Sequence, residues 1–369
     1  MERIKTEHQG ALYFFGFSRW KRKNIKLFFP LERDKIFFCS SLEEAKKKGL
    51  NGDAKIYIWG KKAFDEVETY AKEKEIIIHR VEDGFVRSVS LGSDLSKAYS
   101  LVVDTRGIYF DATQESDLEH ILNSYDFDEK LIERSQKLQN YLLEKKISKY
   151  NASQDKKITL KRLKEGQRVV LVVGQVEDDA SIVYGAKGMT NLQLLKEARE
   201  NLSDAYIIYK PHPDVLAGNR VGNIRQEIAL NYCDEIIVDA SLDSVLELVD
   251  EVHTMTSLVG FEALIRGKEV TTYGLPFYAG WGLTKDKRKC ERRVRERSLD
   301  ELVAGTFFIY SKYIDPKTDQ ICEIEVLLEE IEKQKYNYNN RLAYRVSIKI
   351  KNFLLRKKEA VKRALTFKG

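Results

Sequence analysis

Short apolar runs that end abruptly in polar turns recur along this chain and restrict the folds open to it. Amphipathic segments separate the runs, and alternating strands and helices predict an α/β fold with layered, mostly parallel sheets. In the first half, strands are predicted at 11–17, 36–39, 55–59 and 75–79, and helices at 41–48 and 62–72. In the second half, strands are predicted at 168–173, 235–238, 252–255 and 269–273, and helices at 131–145, 191–201 and 257–266.

The most distinctive run is IIYKPHPD at residues 207–214, where two of the chain's five prolines flank His212. The apolar part reads as a buried parallel strand that includes Lys210, and the prolines stop it because they lack an N–H donor. Pro211 and Pro213 also fix the backbone on both sides of His212. The carboxyl ends of strands are where open α/β sheets bind ligands, so we expect His212 to lie at a site. A structural turn with a surface histidine is the alternative.

Carboxylates follow two other predicted strands. Glu82 and Asp83 precede Gly84 after the strand at 75–79, with Arg87 and Ser88 close behind, and Asp-Gly is typical of a turn. A second acidic group, comprising Glu177, Asp178 and Asp179, follows the strand at 168–173 after Gly174 and Gln175. Three acids in a row also suit a solvated turn, whereas their position at a strand end favours a site.

Two further segments have site character. Ser257 stands where the helix at 257–266 begins, which predicts a capping residue and a helix end that suits a phosphate. Glu262 follows in the same helix. The aromatic, Gly-rich segment at 274–284 contains Trp281 and Gly282 and suits the floor of a ligand site. A loop packed on its own side chains is the alternative for this segment.

Length and composition predict two ordinary domains and a basic tail. The 369 residues are divided into a domain at 1–150, a second at 151–310, helices at 311–340 and a tail at 341–369. The tail carries ten basic residues and one acidic residue, a local charge of +9, so the rest contributes −3 to the overall +6. The four cysteines lack metal-ligand spacing, as in a reduced cytoplasmic protein. No run has transmembrane length, and no secretory signal is predicted.

Known motifs for other chemistries are missing from the sequence. It contains no Walker loop, no GxGxxG and no HExxH, and no Asp-x-Asp pair demands a metal. Two βα domains with loops converging at strand ends fit a two-domain nucleotide-sugar transferase. A donor phosphate would then meet Lys210, His212 and a helix end instead of Mg²⁺.

Four strings together resemble one enzyme family. The acidic-Gly and His-Pro motifs are similar to those of bacterial sialyl- and polysialyltransferases. The strings EDGFVRSVSLGS at 82–93, YKPHPDV at 209–215, SLVGFEAL at 257–264 and YGLPFYAGWGLT at 273–284 more closely resemble the capsule polysaccharide Kdo transferases of KpsC type. The similarity spans residues 14–313. Members of that family usually carry two such modules in tandem, and this sequence holds one.

The resemblance implies a GT-B-type fold of two Rossmann-like domains and retaining transfer of Kdo from CMP-β-Kdo. The implied acceptor is a Kdo-capped lyso-phosphatidylglycerol at the cytoplasmic membrane face, and the linkage is either 2,4 or 2,7. CMP would be bound by the C-terminal domain, with no metal or other cofactor. The implied donor-binding residues are Gln175, Lys210, His212, Pro213, Ser257 and Glu262, and Arg87, Ser88, Trp281 and Gly282 are implied for the donor and acceptor pocket.

Retention requires a carboxylate nucleophile on the face opposite the leaving CMP. In the related inverting sialyltransferases the acidic-Gly aspartate occupies that face, which makes Asp83, beside Glu82, the first candidate. Glu177, Asp178 and Asp179 form the rival set, and one of them could instead serve as general base.

The basic tail has the composition of a membrane-binding segment. Leucine, valine, isoleucine and phenylalanine alternate with Lys and Arg after residue 341, which suits an anionic membrane surface. This predicts a peripheral protein on the inner face of the cytoplasmic membrane, with no nucleic-acid partner. A solvated helix face and attraction to RNA are the alternatives for the tail. For the whole chain the alternatives are a sialyl- or polysialyltransferase and a non-catalytic module that binds CMP-sugar or polyanion.

Overall fold

The computed structural model describes residues 10–88, 97–149, 158–218 and 220–348, together with residues 350, 353, 354 and 357. The chain forms two compact units. Unit 1 comprises residues 1–108, 149–152 and 310–369, and unit 2 comprises residues 109–148 and 153–309.

Unit 1 is built on a seven-stranded sheet with the order β13-β12-β5-β4-β3-β1-β2. Its strands are β1 (Leu12–Phe15), β2 (Ile36–Cys39), β3 (Lys55–Trp59), β4 (Ile78–Asp83), β5 (Ser100–Asp104), β12 (Ser311–Ile314) and β13 (Ile321–Cys322). Strands β2, β1, β3 and β4 are parallel, as the alternating pattern predicts. Beyond β4 the pairings are antiparallel, so the sheet is mixed.

Helices cover both faces of this sheet. They are α1 (Arg19–Ile25), α2 (Leu42–Lys47), α3 (Asp65–Glu73) and α13 (Ile324–Asn340), with 3₁₀ turns at Lys26–Phe28 and Pro30–Lys35. Side chains alternate along β1, so Phe14 packs with Phe17 and Tyr57 in the core on one face of the sheet. Tyr13 and Phe15 pack in the core on the other face. The two apolar faces fix which side of the sheet each strand residue occupies.

Unit 2 is built on a six-stranded parallel sheet with the order β11-β10-β9-β6-β7-β8. Its strands are β6 (Val169–Val173), β7 (Tyr206–Lys210), β8 (Glu235–Ile236), β9 (Glu251–Thr254), β10 (Glu269–Thr272) and β11 (Lys285–Asp286). Numbered from β6, this order is 3-2-1-4-5-6, the arrangement of Rossmann folds. The strand order reverses between β6 and β9, so the ligand crevice of this topology lies beyond their carboxyl ends.

The helices of unit 2 are mostly short. They are α4 (Asp117–Ser124), α5 (Glu129–Glu144), α6 (Ala180–Gly185), α7 (Asn191–Asn201), α8 (Pro213–Leu216), α9 (Gln226–Ala229), α10 (Leu242–Leu246), α11 (Leu258–Ile265) and α12 (Leu299–Ala304), followed by a π-helical turn at Gly305–Tyr310. All of those named here except α9 begin at a residue whose side chain caps the helix. Helix α7 begins with a full capping box, in which Thr190 and Gln193 satisfy each other's backbone N–H groups. The α/β fold class predicted from the sequence is confirmed.

The division of the chain differs from the predicted boundary at residue 150. Residues 109–148 pack with unit 2, and residues 311–340 complete unit 1 by adding two strands and a helix. Charge pairing holds helix α4 in unit 2, because the buried carboxylate of Glu119 binds both Arg292 and Arg293. Pattern alone cannot reveal such pairings, since the partners lie more than 170 positions apart.

Strand β4 also differs from the prediction, and the difference matters for the site. The sequence placed a strand at 75–79 and a turn at Glu82 and Asp83, whereas both carboxylates are the last residues of β4. Glu75 instead has a positive φ of 54° and closes helix α3. Strand β5 pairs with both acidic residues and carries the strand on to Gly84. A Cβ at Gly84 would lie 2.5 Å from the Ser100 hydroxyl, so the chain can turn there only with glycine.

Candidate active site

Asp83 ends β4 with its carboxylate held by two cations. Its Oδ2 accepts a hydrogen bond from Arg87 Nε at 2.9 Å and lies 3.5 Å from Lys21 Nζ. Arg87 is buried, and it also donates to Ser88 Oγ at 3.2 Å. Within the described residues, Asp83 Oδ1 accepts no hydrogen bond. The structure therefore brings three predicted site residues together, and in the described part of the chain only Oδ2 of the Asp83 carboxylate is engaged.

The neighbouring acids Glu82 and Asp83 have opposite titration behaviour. Burial raises the pKa of Asp83, but the charges of Lys21 and Arg87 outweigh burial, so its pKa lies below the usual range. Burial dominates at Glu82 and raises its pKa to about 7, although Lys21 and Lys149 pull it down. Adjacent carboxyl groups with separated pKa values can divide the roles of anion and proton carrier.

Strand geometry separates these two acids further. Successive side chains of a strand point to opposite faces, so Asp83 shares the face of Val81 and Trp59, where α1 packs. Glu82 belongs to the other face, and its Oε1 accepts a hydrogen bond from the Asp83 backbone N–H at 3.0 Å.

Lys21 lies beside Asp83 and Trp59, and the sequence analysis identifies neither Lys21 nor Trp59 as a candidate. Lys21 Nζ lies 3.4 Å from the centre of the Trp59 ring as well as beside Asp83. A signal was available, because Lys21 follows the apolar run at 11–17, and the strand-end argument used for Asp83 applies equally there.

In unit 2 the crevice at the strand reversal is held together by Gln175. Its Oε1 accepts hydrogen bonds from Thr254 Oγ1, from Met255 N at 3.2 Å and from Thr256 N at 3.0 Å. Its Nε2 donates to Thr256 Oγ1 at 3.0 Å. The side chain thus joins the segments that follow β6 and β9. Gln175 fixes the crevice, and its predicted contact with CMP stays a prediction.

The three acids after β6 all have local structural partners. Glu177 Oε1 accepts from the first backbone N–H of α7, that of Asn191, at 2.7 Å. Asp178 pairs with Arg220, with a shortest distance of 2.9 Å. Asp179 caps α6, accepting from the Ser181 backbone N–H at 3.0 Å. These bonds give each member of the rival nucleophile set a capping or pairing role.

His212 caps the short helix α8 and thereby fixes its own tautomer. Its Nδ1 accepts from the Asp214 backbone N–H at 3.2 Å, and Pro213 occupies the first helical position. A ring with Nδ1 as acceptor carries its proton on Nε2 when neutral. Burial lowers the pKa of His212, although Asp214 and Asp179 oppose this. The lowered pKa favours the neutral imidazole, and the predicted contact of His212 with a phosphate stays a prediction.

Lys210 ends β7, as predicted, and its ammonium is partly engaged. Its Nζ donates to the Ala240 carbonyl at 2.8 Å, and burial lowers its pKa against the attraction of Asp239. Gly174 faces this strand end, and a Cβ there would lie 2.8 Å from the Tyr209 hydroxyl. The close approach explains why glycine follows β6.

Ser257 is the N-cap of α11, as the sequence indicated. Its hydroxyl accepts from the Val259 backbone N–H at 3.2 Å, and its carbonyl accepts from the buried Tyr278 hydroxyl at 2.5 Å. Gly260 makes room for that hydroxyl, since a Cβ there would lie 2.2 Å from it. The SLVGFEAL and YGLPFYAGWGLT segments therefore form one packed assembly. Glu262 lies in the same helix, with its side chain buried.

The aromatic loop is packed more tightly than a pocket floor requires. Trp281 is fully buried, and its Nε1 donates to the Phe277 carbonyl at 2.8 Å. Gly282 has φ of 86°, a left-handed conformation that favours glycine. These contacts fit the packed-loop alternative, and the pocket role of Trp281 and Gly282 remains a prediction.

Neither a candidate metal site nor a candidate membrane span occurs among the described residues. They contain no group of three or more His, Cys, Asp or Glu side chains that could hold a metal ion. Among the described helices, none has both the length and the apolar character of a membrane span.

The chain matches a known protein family over the segment that contains these strand ends. The family profile described as "Capsule polysaccharide biosynthesis protein" matches residues 54–313, a span that includes Glu82, Asp83, His212 and Ser257. The chain belongs to this capsule polysaccharide biosynthesis family. The family predicted from the four strings is thereby confirmed.

The relatives and solved structures give the extent of the similarity. The capsule polysaccharide modification protein LipA of Neisseria meningitidis serogroup A is 44% identical over 92% of this chain and 48% of its own length. The chain thus spans about half the length of the LipA proteins it matches. Two solved structures of Thermosulfurimonas dismutans KpsC each match over 88% of this chain and 99% of theirs. Described as β-Kdo 2,7 and β-Kdo 2,4 transferases, they are 37% and 30% identical, with TM-scores of 0.70 and 0.73.

Proposed function

We propose that this chain is a retaining glycosyltransferase that moves Kdo from CMP-β-Kdo to a Kdo-terminated lyso-phosphatidylglycerol acceptor in capsule linker synthesis. The observation that carries the proposal is the carboxylate of Asp83, held by Arg87 and Lys21 at the strand end that the family profile covers. The similarity to two structures described as β-Kdo transferases supports the sugar and the linkage class.

Donor binding falls to the carboxyl ends of β6, β7 and β9. In this proposal His212 Nε2–H and the ammonium of Lys210 hydrogen-bond the phosphate, and Ser257 at the start of α11 adds a third contact. As the C2–O bond to CMP breaks, negative charge grows on the phosphate. Fixed donors stabilise that charge more strongly in the transition state than in the ground state.

The chemical steps follow from the carboxylate of Asp83. Its Oδ1 attacks the anomeric carbon, and CMP leaves with the electron pair of the broken bond. The acceptor hydroxyl then attacks the same carbon from the side that CMP left, its proton passes to water, and the carboxylate of Asp83 is released. Two displacements retain the configuration.

Release of CMP tests this proposal. The chain, CMP-Kdo and a soluble Kdo-capped acceptor are expected to release CMP, and EDTA is expected to leave the rate unchanged because the donor phosphate is held by side chains. CMP-sialic acid serves as the competing donor. Faster CMP release from CMP-sialic acid would favour a sialyltransferase. Strict dependence of the rate on Mg²⁺ or Mn²⁺ would contradict the proposed phosphate site. If no CMP is released from either donor, the protein is a binding module without transferase activity.

The start of the tail supports membrane association. Residues 342–348 are helical, and Leu342, Val346, Ile350 and Phe353 recur at helical spacing with exposed side chains. An exposed apolar stripe in a segment of net charge +9 fits an anionic bilayer, since the apolar atoms enter the interface while basic residues meet the lipid phosphates. We propose this surface as the membrane contact at the inner face of the cytoplasmic membrane.

Replacing Leu342, Val346, Ile350 and Phe353 by serine is expected to weaken binding to anionic vesicles at least about tenfold, because each lost side chain removes apolar burial. Vesicle co-sedimentation at low and high salt measures this, and removal of residues 341–369 should give a larger loss. Val294→Ser, at a valine 77% exposed in unit 2, is the matched control. Unchanged vesicle binding by the serine variant and the truncation would refute the membrane role, whereas transfer to a soluble acceptor should survive in both.

A further inference from the structure

Lys21 is a largely buried cation that shares its hydrogen-bonded anion, Asp83, with Arg87. It lies on α1, and its side chain is only 17% exposed. Among the described residues, its ammonium has one hydrogen-bond acceptor, Asp83 Oδ2 at 3.5 Å, the long limit for such a bond. Trp59 covers another side of the ammonium with its ring face. Two of the three N–H donors thus lack an acceptor in the described protein.

This arrangement is costly unless something compensates it. An ammonium removed from water loses hydration, and burial lowers the pKa of Lys21 although Asp83 and Glu82 pull it up. Asp83 cannot fully neutralise it, because Arg87 binds the same oxygen at the shorter distance of 2.9 Å.

Among the described residues, more cations than carboxyl groups act on Asp83 and Lys21. Lys21, Arg87 and Lys149 all act electrostatically on Asp83, and Asp83 and Glu82 act on Lys21. Burial raises the pKa of Glu82 to about 7, so it carries only part of a negative charge near neutral pH. Such a site favours a ligand that brings an anion.

We propose that Lys21 forms the subsite for the carboxylate of an acidic sugar, and so selects 2-keto sugar acids over neutral sugars at the Asp83 site. The inference rests on the proposed function, because that function brings sugars carrying this group to Asp83. An ammonium beside the catalytic carboxylate places the C1 carboxylate next to the anomeric carbon to which it is attached. Lys21 is a specificity-determining residue that forms no bond to the reacting carbon.

A carboxylate could come from either substrate, since both the donor sugar and the Kdo-capped acceptor carry one. The chemistry at Lys21 is the same for both. Two matched comparisons separate the sources. The acceptor is used as the free acid and with its carboxyl group reduced to an alcohol, and the donor is compared with CMP, which lacks the sugar.

The variants are Lys21→Met, which removes the charge at similar length, and Lys21→Arg, which retains it. Lys23→Met on the same helix is the control, because Lys23 is exposed. If the acceptor carboxylate is bound, Lys21→Met should lower kcat/KM for the acid acceptor about 10- to 100-fold through KM, and change it little for the reduced acceptor. If the donor carboxylate is bound, calorimetry should show weaker binding of CMP-Kdo but not of CMP. Lys21→Arg should restore most of the lost affinity in either case.

Equal losses with the acid and the reduced acceptor, together with unchanged CMP-Kdo binding, would overturn the inference and leave Lys21 acting on Asp83 alone. A binding experiment tests Lys21 without requiring turnover. Ligand NMR compares the binding of Kdo methyl glycoside and of its carboxyl-reduced form to wild type and to Lys21→Met. If wild type binds the acid form more tightly than the reduced form, Lys21→Met does not, and the protein releases no CMP, only the proposed function is contradicted. If the protein transfers Kdo but binds the two forms equally, only the carboxylate subsite is contradicted.

Discussion

Asp83→Asn is expected to reduce turnover by roughly 10³-fold or more, because the amide cannot attack the anomeric carbon. Asparagine keeps the shape of the side chain and can still accept from Arg87 Nε, so the fold and the thermal midpoint should change little. Binding of CMP should persist, since the proposed phosphate contacts, His212 and Lys210, belong to unit 2. Steady-state rates and CMP calorimetry measure the two effects separately.

The control for this variant is Asp126→Asn, at an aspartate 94% exposed. A covalent mechanism further predicts a Kdo adduct when acceptor is withheld, and mass spectrometry after proteolysis should find it on the peptide that contains Glu82 and Asp83. An adduct on the peptide containing Glu177, Asp178 and Asp179 would transfer the nucleophile to unit 2. Asp83→Asn with near-normal turnover would exclude it from the chemistry.

His212→Ala is expected to lower turnover about 10²–10³-fold, because a preorganised donor to the leaving phosphate is lost. Alanine also removes the cap of α8, so it cannot separate the two roles of the ring. His212→Asn can, since its side-chain oxygen is able to cap the helix but supplies no group at the position of Nε2.

We therefore expect His212→Asn to be as slow as His212→Ala while matching wild type in thermal stability. CMP affinity relative to cytidine provides a second readout, because only CMP carries the phosphate. If the asparagine variant recovers wild-type turnover, His212 acts through helix capping, and the phosphate role is excluded.

Local patterns predicted the elements of this fold because each depends on neighbours in sequence. The strands β2 and β3 and helix α7 have the predicted bounds, and Ser257 caps α11 as expected. These features follow from runs of apolar residues and from single capping residues. The α/β class and the parallel strands of unit 2 follow from the same alternation.

Features that depend on distant pairings could not be predicted in this way. Strand β4 extends through Glu82 and Asp83 because β5 pairs with them, and α4 joins unit 2 because Glu119 finds two arginines. The hydrogen bonds of Gln175 and the capping role of Glu177 likewise join residues separated by between 14 and 81 positions. The acids were visible in the sequence, whereas the partners of each carboxylate required coordinates.

The most direct test of the central claim is the structure of the product made from CMP-β-Kdo and a soluble Kdo-capped acceptor. Mass spectrometry should show one added Kdo residue, and NMR should show that the new linkage is β, the configuration of the donor. Both observations are required by two successive displacements at the anomeric carbon. A product with the α configuration would contradict the account, as would an acceptor recovered without added Kdo.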